Sequence, residues 1–194
     1  MSSVQFNPRE AVTFDLQYGH IHLDGAATRV MVPAEALVAL CKSAGEEEAA
    51  ALGHAMGEAM GRRVSVRLAG GTAERHDAVR NADFETVVSQ LAGELALAGT
   101  GALSAERWGK ALVLVVDQSP FGEDGDALMA QILQSALNAL VGRELRVLKL
   151  QRDGVRARYL AVSGAVADEI GKRLRSGDDW GTVLSALHAG GQQA

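Results

Sequence analysis

The chain has few of the residues that mark several protein classes. Of its 194 residues, one is cysteine, three are proline and 4% are aromatic. A single cysteine excludes an internal disulfide and fits a reducing compartment, so we expect a cytoplasmic location. Because aromatic residues are scarce while alanine, leucine and glycine abound, we expect an aliphatic core whose helices pack closely through small residues.

Long apolar runs and dense basic patches are missing as well. No run approaches the roughly 18 residues that a membrane span needs, and MSSVQFNPRE at the start lacks the pattern of a signal peptide. The net charge is −5, and no basic cluster is dense enough to neutralise several phosphates. We therefore expect no membrane span and no nucleic-acid partner.

The hydrophobic patterns predict one α+β domain. They indicate a β-meander, two helices, a strand, a helix, a hairpin, a second helix and hairpin, and two tail helices. Because hairpins outnumber strand–helix–strand units, we expect an antiparallel sheet with helices packed on it. The predicted boundaries are a disordered N-terminus at 1–10, a domain at 11–163 (meander 11–32, core 33–163) and a C-terminal helical appendage at 164–194.

The first half of the predicted core contains a row of glycines. Gly53, Gly57 and Gly61 recur every fourth residue in the predicted helix EEEAAALGHAMGEAMG. Each costs about 1 kcal/mol against alanine in a helix interior, so the row predicts that another backbone packs along it. RVSVRLA then alternates like a strand, and the polar GGTAERHDAVRNAD is predicted to be a loop.

The second half predicts two hairpins around a long helix. In ALVLVVD, the aliphatic run indicates a central strand covered on both faces, which Pro120 ends. ALMAQILQSALNALV is predicted to be a helix ended by Gly142. ELRVLKLQRDGVRARYLAVS predicts a hairpin, with Val147 facing one way and the arginines and lysine facing the other.

Two histidines and the cysteine are residue types that occur in metal and nucleophile sites, but their spacing does not match such sites. His20 and His22 lie on one face of a strand, but no third or fourth ligand at metal spacing accompanies them. Cys41 has no C-x-x-C mate, so we interpret it as a small buried hydrophobe, with an acylated or reactive thiol as the alternative. We therefore assign no metal site.

Catalytic and cofactor motifs are also absent. Asp117, Glu123 and Asp126 flank Pro120 at the end of a strand, yet no base–nucleophile pair accompanies them and helix capping is the simpler interpretation. No phosphate-binding glycine motif or nucleophile elbow occurs, so we assign no catalytic residue and no cofactor. Our candidates for an interface or ligand pocket are large side chains at element ends and on apolar helical faces: Trp108, Phe121, Leu91, Leu95, Met129 and Leu133.

A series of segments resembles a known family in order and type. It runs GEEEAAALGHAMGEAMGRRV, FETVVSQLAGELALAGTGAL, RWGKALVLVVDQSP, LMAQILQSALNALVGRELRV and LQRDGVRARYLAV. From about Pro33 to Ser163 the chain resembles the vinyl-reductase-like (V4R) domain, shared with the Bet-three-type subunits of the TRAPP tethering complex. The resemblance implies an α/β fold with an antiparallel sheet, usually dimeric, that often serves as a ligand-sensing or assembly module.

The zinc site of that family is not carried over. Some bacterial sensor members hold zinc through Glu-x-x-Cys and, beyond the turn, Gly-x-x-x-Cys. The corresponding positions here are Val147, Leu150, Gly154 and Arg158, so the ligands are missing. A fainter similarity, over SQLAGELALAGTGALSAERWGKALVLVVDQSP and LQSALNALVGRELRV, is to the small scaffold subunit of bacterial cellulose synthase, which is oligomeric and serves polymer export.

Four functions remain open from the sequence. The leading hypothesis is a non-enzymatic homodimeric scaffold or adaptor that binds itself and an unidentified protein partner. The second is a sensor that holds an apolar small molecule. The third is an oligomeric accessory scaffold of a bacterial polysaccharide (cellulose) synthesis and export complex. The fourth is an enzyme that uses Asp117, Glu123 and Asp126.

Overall fold

The structure is a computed structural model that describes residues 6–70, 75–108, 111–183 and 185. It shows a mixed α+β fold with antiparallel sheets and helices packed against them, which confirms the predicted fold class. The helices are α1 (Pro8–Ala11), α2 (Ala34–Ala44), α3 (Glu46–Leu68), α4 (Arg75–Asn81), α5 (Phe84–Leu97), α6 (Asp126–Val141) and α7 (Gly164–Arg175). The strands are β1 (Val12–Asp15), β2 (His20–Leu23), β3 (Ala26–Arg29), β4 (Ala102–Trp108), β5 (Ala111–Asp117), β6 (Leu145–Asp153) and β7 (Arg156–Ser163).

The main sheet has four strands in the order β4-β5-β7-β6. In β5, Leu114 and Val116 face a core formed with α5 and α6, while Val113 and Val115 face α7. All four side chains are at most 1% exposed, so the prediction of a central strand covered on both faces is confirmed. The turn after Trp108, predicted at 109–110, lies outside the described residues.

Helices α3 and α6 pack with their backbones close together along the glycine row. A Cβ added at Gly61 would lie 2.5 Å from the carbonyl oxygen of Ala136, and one at Gly57 would clash with that of Ile132. The prediction that another backbone packs along the row is therefore confirmed. Because α6 also packs on β6 and β7, this contact fixes α3 relative to the sheet.

The strand predicted at RVSVRLA is wrong, because α3 continues through this segment to Leu68. Val64 follows Met60 by four residues on the helix, and both are buried in the core at 0% and 3% exposure. Tertiary packing of this stripe outweighs the β-propensity of the valines. The loop predicted after it contains α4, while residues 71–74 lie outside the described residues.

The N-terminal segment packs against the core. Residues 6–10, predicted to be disordered, include the start of α1, which Asn7 caps. The ring of Phe6 occupies the space beside Gly93 and lies 4.9 Å from the guanidinium carbon of Arg67. Residues 1–5 lie outside the described residues.

The predicted meander forms a separate three-stranded antiparallel sheet, β1-β2-β3. Its last strand ends at Arg29, so residues 30–32 follow outside the ladder although the sequence predicted them to extend it. An ion pair of 3.9 Å joins Asp24 to Arg67 of α3. The meander is thus a small sheet beside the main domain core.

The C-terminal segment covers the second face of the main sheet. Ile170 of α7 is buried there with Val183 from the helical stretch that begins at residue 180. Asp179 caps that stretch by accepting hydrogen bonds from the backbone N–H groups of Gly181 and Thr182. Residues 184 and 186–194 lie outside the described residues.

Candidate functional site

A pocket of about 190 Å³ lies where α2 and α3 meet the start of α6. Most of its lining is apolar, and Leu128 at its base is 4% exposed. It is open to solvent on one side. The lining residues are Val38, Cys41, Lys42, Gly45, Glu46, Ala49, Asp124, Gly125 and Leu128.

Gly45 shapes one wall of the pocket. Its φ of +110° is a conformation that favours glycine, and it lets α2 end and α3 begin at a single residue. Its N–H donates to the carbonyl of Cys41, and its own carbonyl accepts from the N–H of Ala49, both at 3.1 Å. The turn therefore holds Cys41 and Ala49 on the same wall, with the thiol half-buried.

An ion pair lies at the edge of the pocket. Lys42 Nζ and Asp124 Oδ2 are 2.6 Å apart, and their side chains are 55% and 63% exposed. Exposed pairs of this kind contribute only about 0–1 kcal/mol. The pair therefore forms a polar rim of the pocket. A ligand's hydroxyl or charged group could contact this rim at a small cost in free energy, because the ion pair itself contributes little.

Asp126, next to the pocket, is the centre of a buried polar cluster. Its carboxylate accepts hydrogen bonds from Tyr159 Oη at 2.9 Å and Arg152 Nε at 3.0 Å, and pairs with Lys149 Nζ at 2.6 Å. Burial acts to raise the pKa of Asp126, but the hydrogen bonds from Arg152, Lys149 and Tyr159 outweigh it and lower the pKa. Burial, and then the charge of Asp126, raise the pKa of Tyr159. The cluster is thus an ionised carboxylate with satisfied partners.

A β-bulge brings Arg152 into this cluster. The register of β6 against β7 shifts between Lys149 and Gln151. Both Lys149 and Arg152 reach α6 on the side where Val147 is buried. The prediction that the arginines and lysine of this hairpin all face away from Val147 is wrong. Lys149 follows Val147 by two residues and shares its face by simple alternation, whereas the bulge turns Arg152 to that face.

Two of the three carboxylates considered for catalysis, Glu123 and Asp126, share Lys149 as a partner, and Asp117 pairs elsewhere. Asp117 accepts from Arg156 Nε at 2.8 Å at the end of β5. The side chain of Glu123 is 81% exposed and lies 4.0 Å from Lys149 Nζ. Asp126 is buried among its basic partners. The contacts that the structure describes for these three residues include no histidine, and the hydroxyl among them is the buried phenol of Tyr159, which donates to Asp126.

Five of the six predicted interface or pocket residues lie together in the main core. They are at most 6% exposed, and none lines the pocket: Phe121, Leu91, Leu95, Met129 and Leu133. Trp108 lies elsewhere, 42% exposed, with its ring 5.1 Å from that of Trp180 on the α7 side of the sheet. The structure thus places the five in the packed interior and Trp108 at the surface.

The pocket itself was not predicted, because its walls come from two stretches far apart in sequence, 38–49 and 124–128. One local signal was present: a glycine between two helical patterns, with an apolar face on each side. The pairing of Lys42 with Asp124 has no signal in a single sequence.

The histidines do not assemble a metal centre in the described part of the chain. The rings of His20 and His22 lie 5.9 Å apart, and Tyr18 stacks on His20 at 6.3 Å. Across residues 6–70, 75–108, 111–183 and 185, no group of three or more His, Cys, Asp or Glu side chains is placed to hold a metal ion. No helix in those ranges is both long and apolar enough to cross a bilayer.

Comparison with known proteins shows a similarity of fold. No family model matches the sequence, and no curated protein matches it. Among solved structures, the chain is similar to the phenol-responsive sensory domain of the transcription activator PoxR, determined with phenol. The TM-score is 0.60 at 16% sequence identity, over 81% of this chain and 87% of that one. At this identity the match shows that the two share the α+β fold of a sensory domain of similar size.

Proposed function

We propose that the chain is a non-enzymatic, homodimeric binding module of the V4R and TRAPP type that holds a small apolar molecule between α2, α3 and α6. The observation that carries the proposal is the pocket of about 190 Å³ with its mostly apolar lining. Such concave, apolar sites with a few polar groups are the usual form of a small-molecule site. In this function the module is an adaptor whose contacts with a protein partner depend on the bound molecule.

The size of the pocket suits a molecule with one aromatic ring or a short alkyl chain. An apolar cavity of roughly 150 Å³ is large enough to bind benzene. Val38, Ala49 and Leu128 offer apolar contacts, and Lys42 at the rim offers a donor to a hydroxyl or carboxylate. The phenol bound to the sensory domain of similar fold is a molecule of this class, which supports the proposal.

Native mass spectrometry of freshly purified protein tests ligand binding. We expect a co-purifying mass of a small apolar molecule, or else a rise in melting temperature with phenol or another single-ring compound. A protein that carries no such molecule, and whose melting temperature ignores a library of these compounds, contradicts the proposal.

Light scattering on the same sample tests the homodimer. The expected mass is twice the 20.3 kDa of one chain. A larger, fixed oligomer would favour the alternative of a polysaccharide-export scaffold. A strict monomer would contradict both.

A further inference from the structure

The meander exposes an unusual number of large apolar side chains. Of the apolar residues described in 12–32, Leu23 is buried at 7% exposure. Six others are more than half exposed, and we call them the meander patch: Phe14 59%, Leu16 89%, Tyr18 69%, Val30 83%, Met31 80% and Val32 53%.

The topology brings the meander patch to one end of the small sheet. Leu16 and Tyr18 lie in the turn between β1 and β2, and Phe14 lies just before it. Because β3 runs antiparallel to β2, its last residue, Arg29, lies opposite Ile21, close to that turn. Residues 30–32 follow directly from this point, so both groups of residues lie at the same end of the small sheet.

The turn that carries Leu16 and Tyr18 is held in place. Asp15 Oδ1 accepts hydrogen bonds from the backbone N–H groups of Gln17 and Tyr18, both at 3.1 Å. The exposed side chains therefore sit on an ordered turn. A surface that is already ordered loses less conformational entropy when a partner covers it.

The area of the patch matches the apolar part of one side of a stable dimer interface. At roughly 150–250 Å² for each of the two aromatic side chains and less for each aliphatic one, exposed fractions of 53–89% amount to on the order of 600 Å². This area lies at the upper end of the roughly 300–600 Å² covered by the largest apolar patch on a typical monomer. A standard interface buries about 800 Å² on each partner, of which a little over half is apolar, so the patch is large enough to supply the apolar part of an interface.

We infer that the meander patch is the surface through which two copies of this chain associate; this rests on the homodimer in the proposed function. An anionic membrane is disfavoured, because Asp15 lies within the patch, Glu35 follows it, and the chain carries a net charge of −5. A second copy of the chain supplies an equal apolar area and places no anionic lipid against these acidic residues.

Sedimentation equilibrium of the full chain tests the inference. We expect a dimer for the wild type and a dimer dissociation constant raised at least about 30-fold in Leu16→Glu/Met31→Glu. Both side chains are at least 80% exposed, so the far-UV circular dichroism should not change, and the melting temperature should fall only by the amount that lost dimerisation removes. The matched control is Val155→Glu, a residue 54% exposed in the β6–β7 turn, which should dimerise like the wild type. If the double variant loses its folded spectrum, Tyr18→Glu alone takes its place.

The possible outcomes distinguish a failure of the proposed surface from a failure of the proposed function. A wild type that is monomeric overturns both the homodimer and this inference. A wild type that is dimeric, with a double variant that dimerises equally well, overturns the surface alone. Dissociation by Val155→Glu, or binding of the monomeric wild type to phosphatidylcholine vesicles, also overturns it. Ligand binding, measured separately, is independent of every one of these results.

Discussion

Gly57 of α3 lies directly against the carbonyl oxygen of Ile132 on α6, where a Cβ would clash. Alanine at this position would gain about 1 kcal/mol of helix propensity but would force two helix backbones apart. We expect Gly57→Ala to destabilise the fold by about 1–3 kcal/mol net, as overpacking does.

Urea unfolding measures this effect, and Gly171→Ala is the control. Gly171 lies within α7, and an added Cβ there would meet only the end of the flexible Arg175 side chain, at 3.3 Å. That substitution should be neutral or stabilise by up to about 1 kcal/mol. Equal stability changes for the two variants would contradict the close packing of α3 on α6.

Asp126→Asn should destabilise the protein by about 2–4 kcal/mol, because it leaves Arg152 and Lys149 without their buried charge partner. The control is Asp124→Asn, whose side chain is 63% exposed and should change stability by less than about 0.5 kcal/mol. Thermal and urea unfolding at pH 7 compare them. Similar losses in the two variants would mean that the buried cluster adds no stability.

The Asp126 effect should depend on pH in one direction. The pKa of Asp126 is lower in the folded protein than its usual value. Its contribution is therefore present above the unfolded pKa of about 3.9 and is lost as the pH falls through the folded pKa. The stability gap between wild type and Asp126→Asn should stay constant from about pH 5 to 8 and shrink below about pH 4. A gap that instead grows on acidification contradicts this assignment.

Glu94→Gln should be among the most damaging conservative changes. The side chain is fully buried and accepts from Arg63 Nε at 2.8 Å and Nη2 at 2.6 Å, and it also pairs with Arg67. Burial lowers the pKa of both arginines, and the charge of Asp24 acts in the opposite direction. We expect a loss of about 3–5 kcal/mol by urea unfolding, against less than about 0.5 kcal/mol for the exposed Glu85→Gln on the same helix. A loss no larger than the control's would refute a structural role for the pair.

Trp108→Ala should loosen the C-terminal helical stretch. The Trp108 and Trp180 rings meet nearly perpendicular, at 80° and 5.1 Å, and such pairs are worth about 0.5–1.5 kcal/mol. Hydrogen exchange should become faster at residues 180–183 and stay unchanged in α6. Unchanged exchange at 180–183 would show that the ring contact does not hold the segment.

The sequence predicted those parts of the fold that depend on local patterns. Gly142, which ends α6 at a φ of +64°, and the row of glycines along α3 are examples. RVSVRLA was assigned wrongly because Val64 fits two periods. Val66 follows it by two residues, while Met60 and Leu68 lie four residues to either side of it. Only the position of α6, which buries Val64 on a helix, decides between the two.

The candidate site could not be predicted in the same way. Four apolar residues chosen from helical stripes, and Phe121 from a loop, fill the core, since an apolar stripe does not distinguish a packed interior from a pocket wall. The pocket depends instead on small residues, Gly45 and Ala49, that leave space open. The empty space between α2, α3 and α6 arises from the tertiary structure, so no local sequence pattern predicts it.

Isothermal titration of phenol into wild type, Ala49→Phe and Ala50→Phe tests the central claim most directly. Ala49 lines the pocket, whereas Ala50, its neighbour on α3, is exposed and serves as the matched control. The account predicts binding to wild type and Ala50→Phe, and an affinity at least about tenfold lower, or none, for a folded Ala49→Phe. Equal binding by Ala49→Phe, or no binding of phenol or toluene by the wild type, would contradict it.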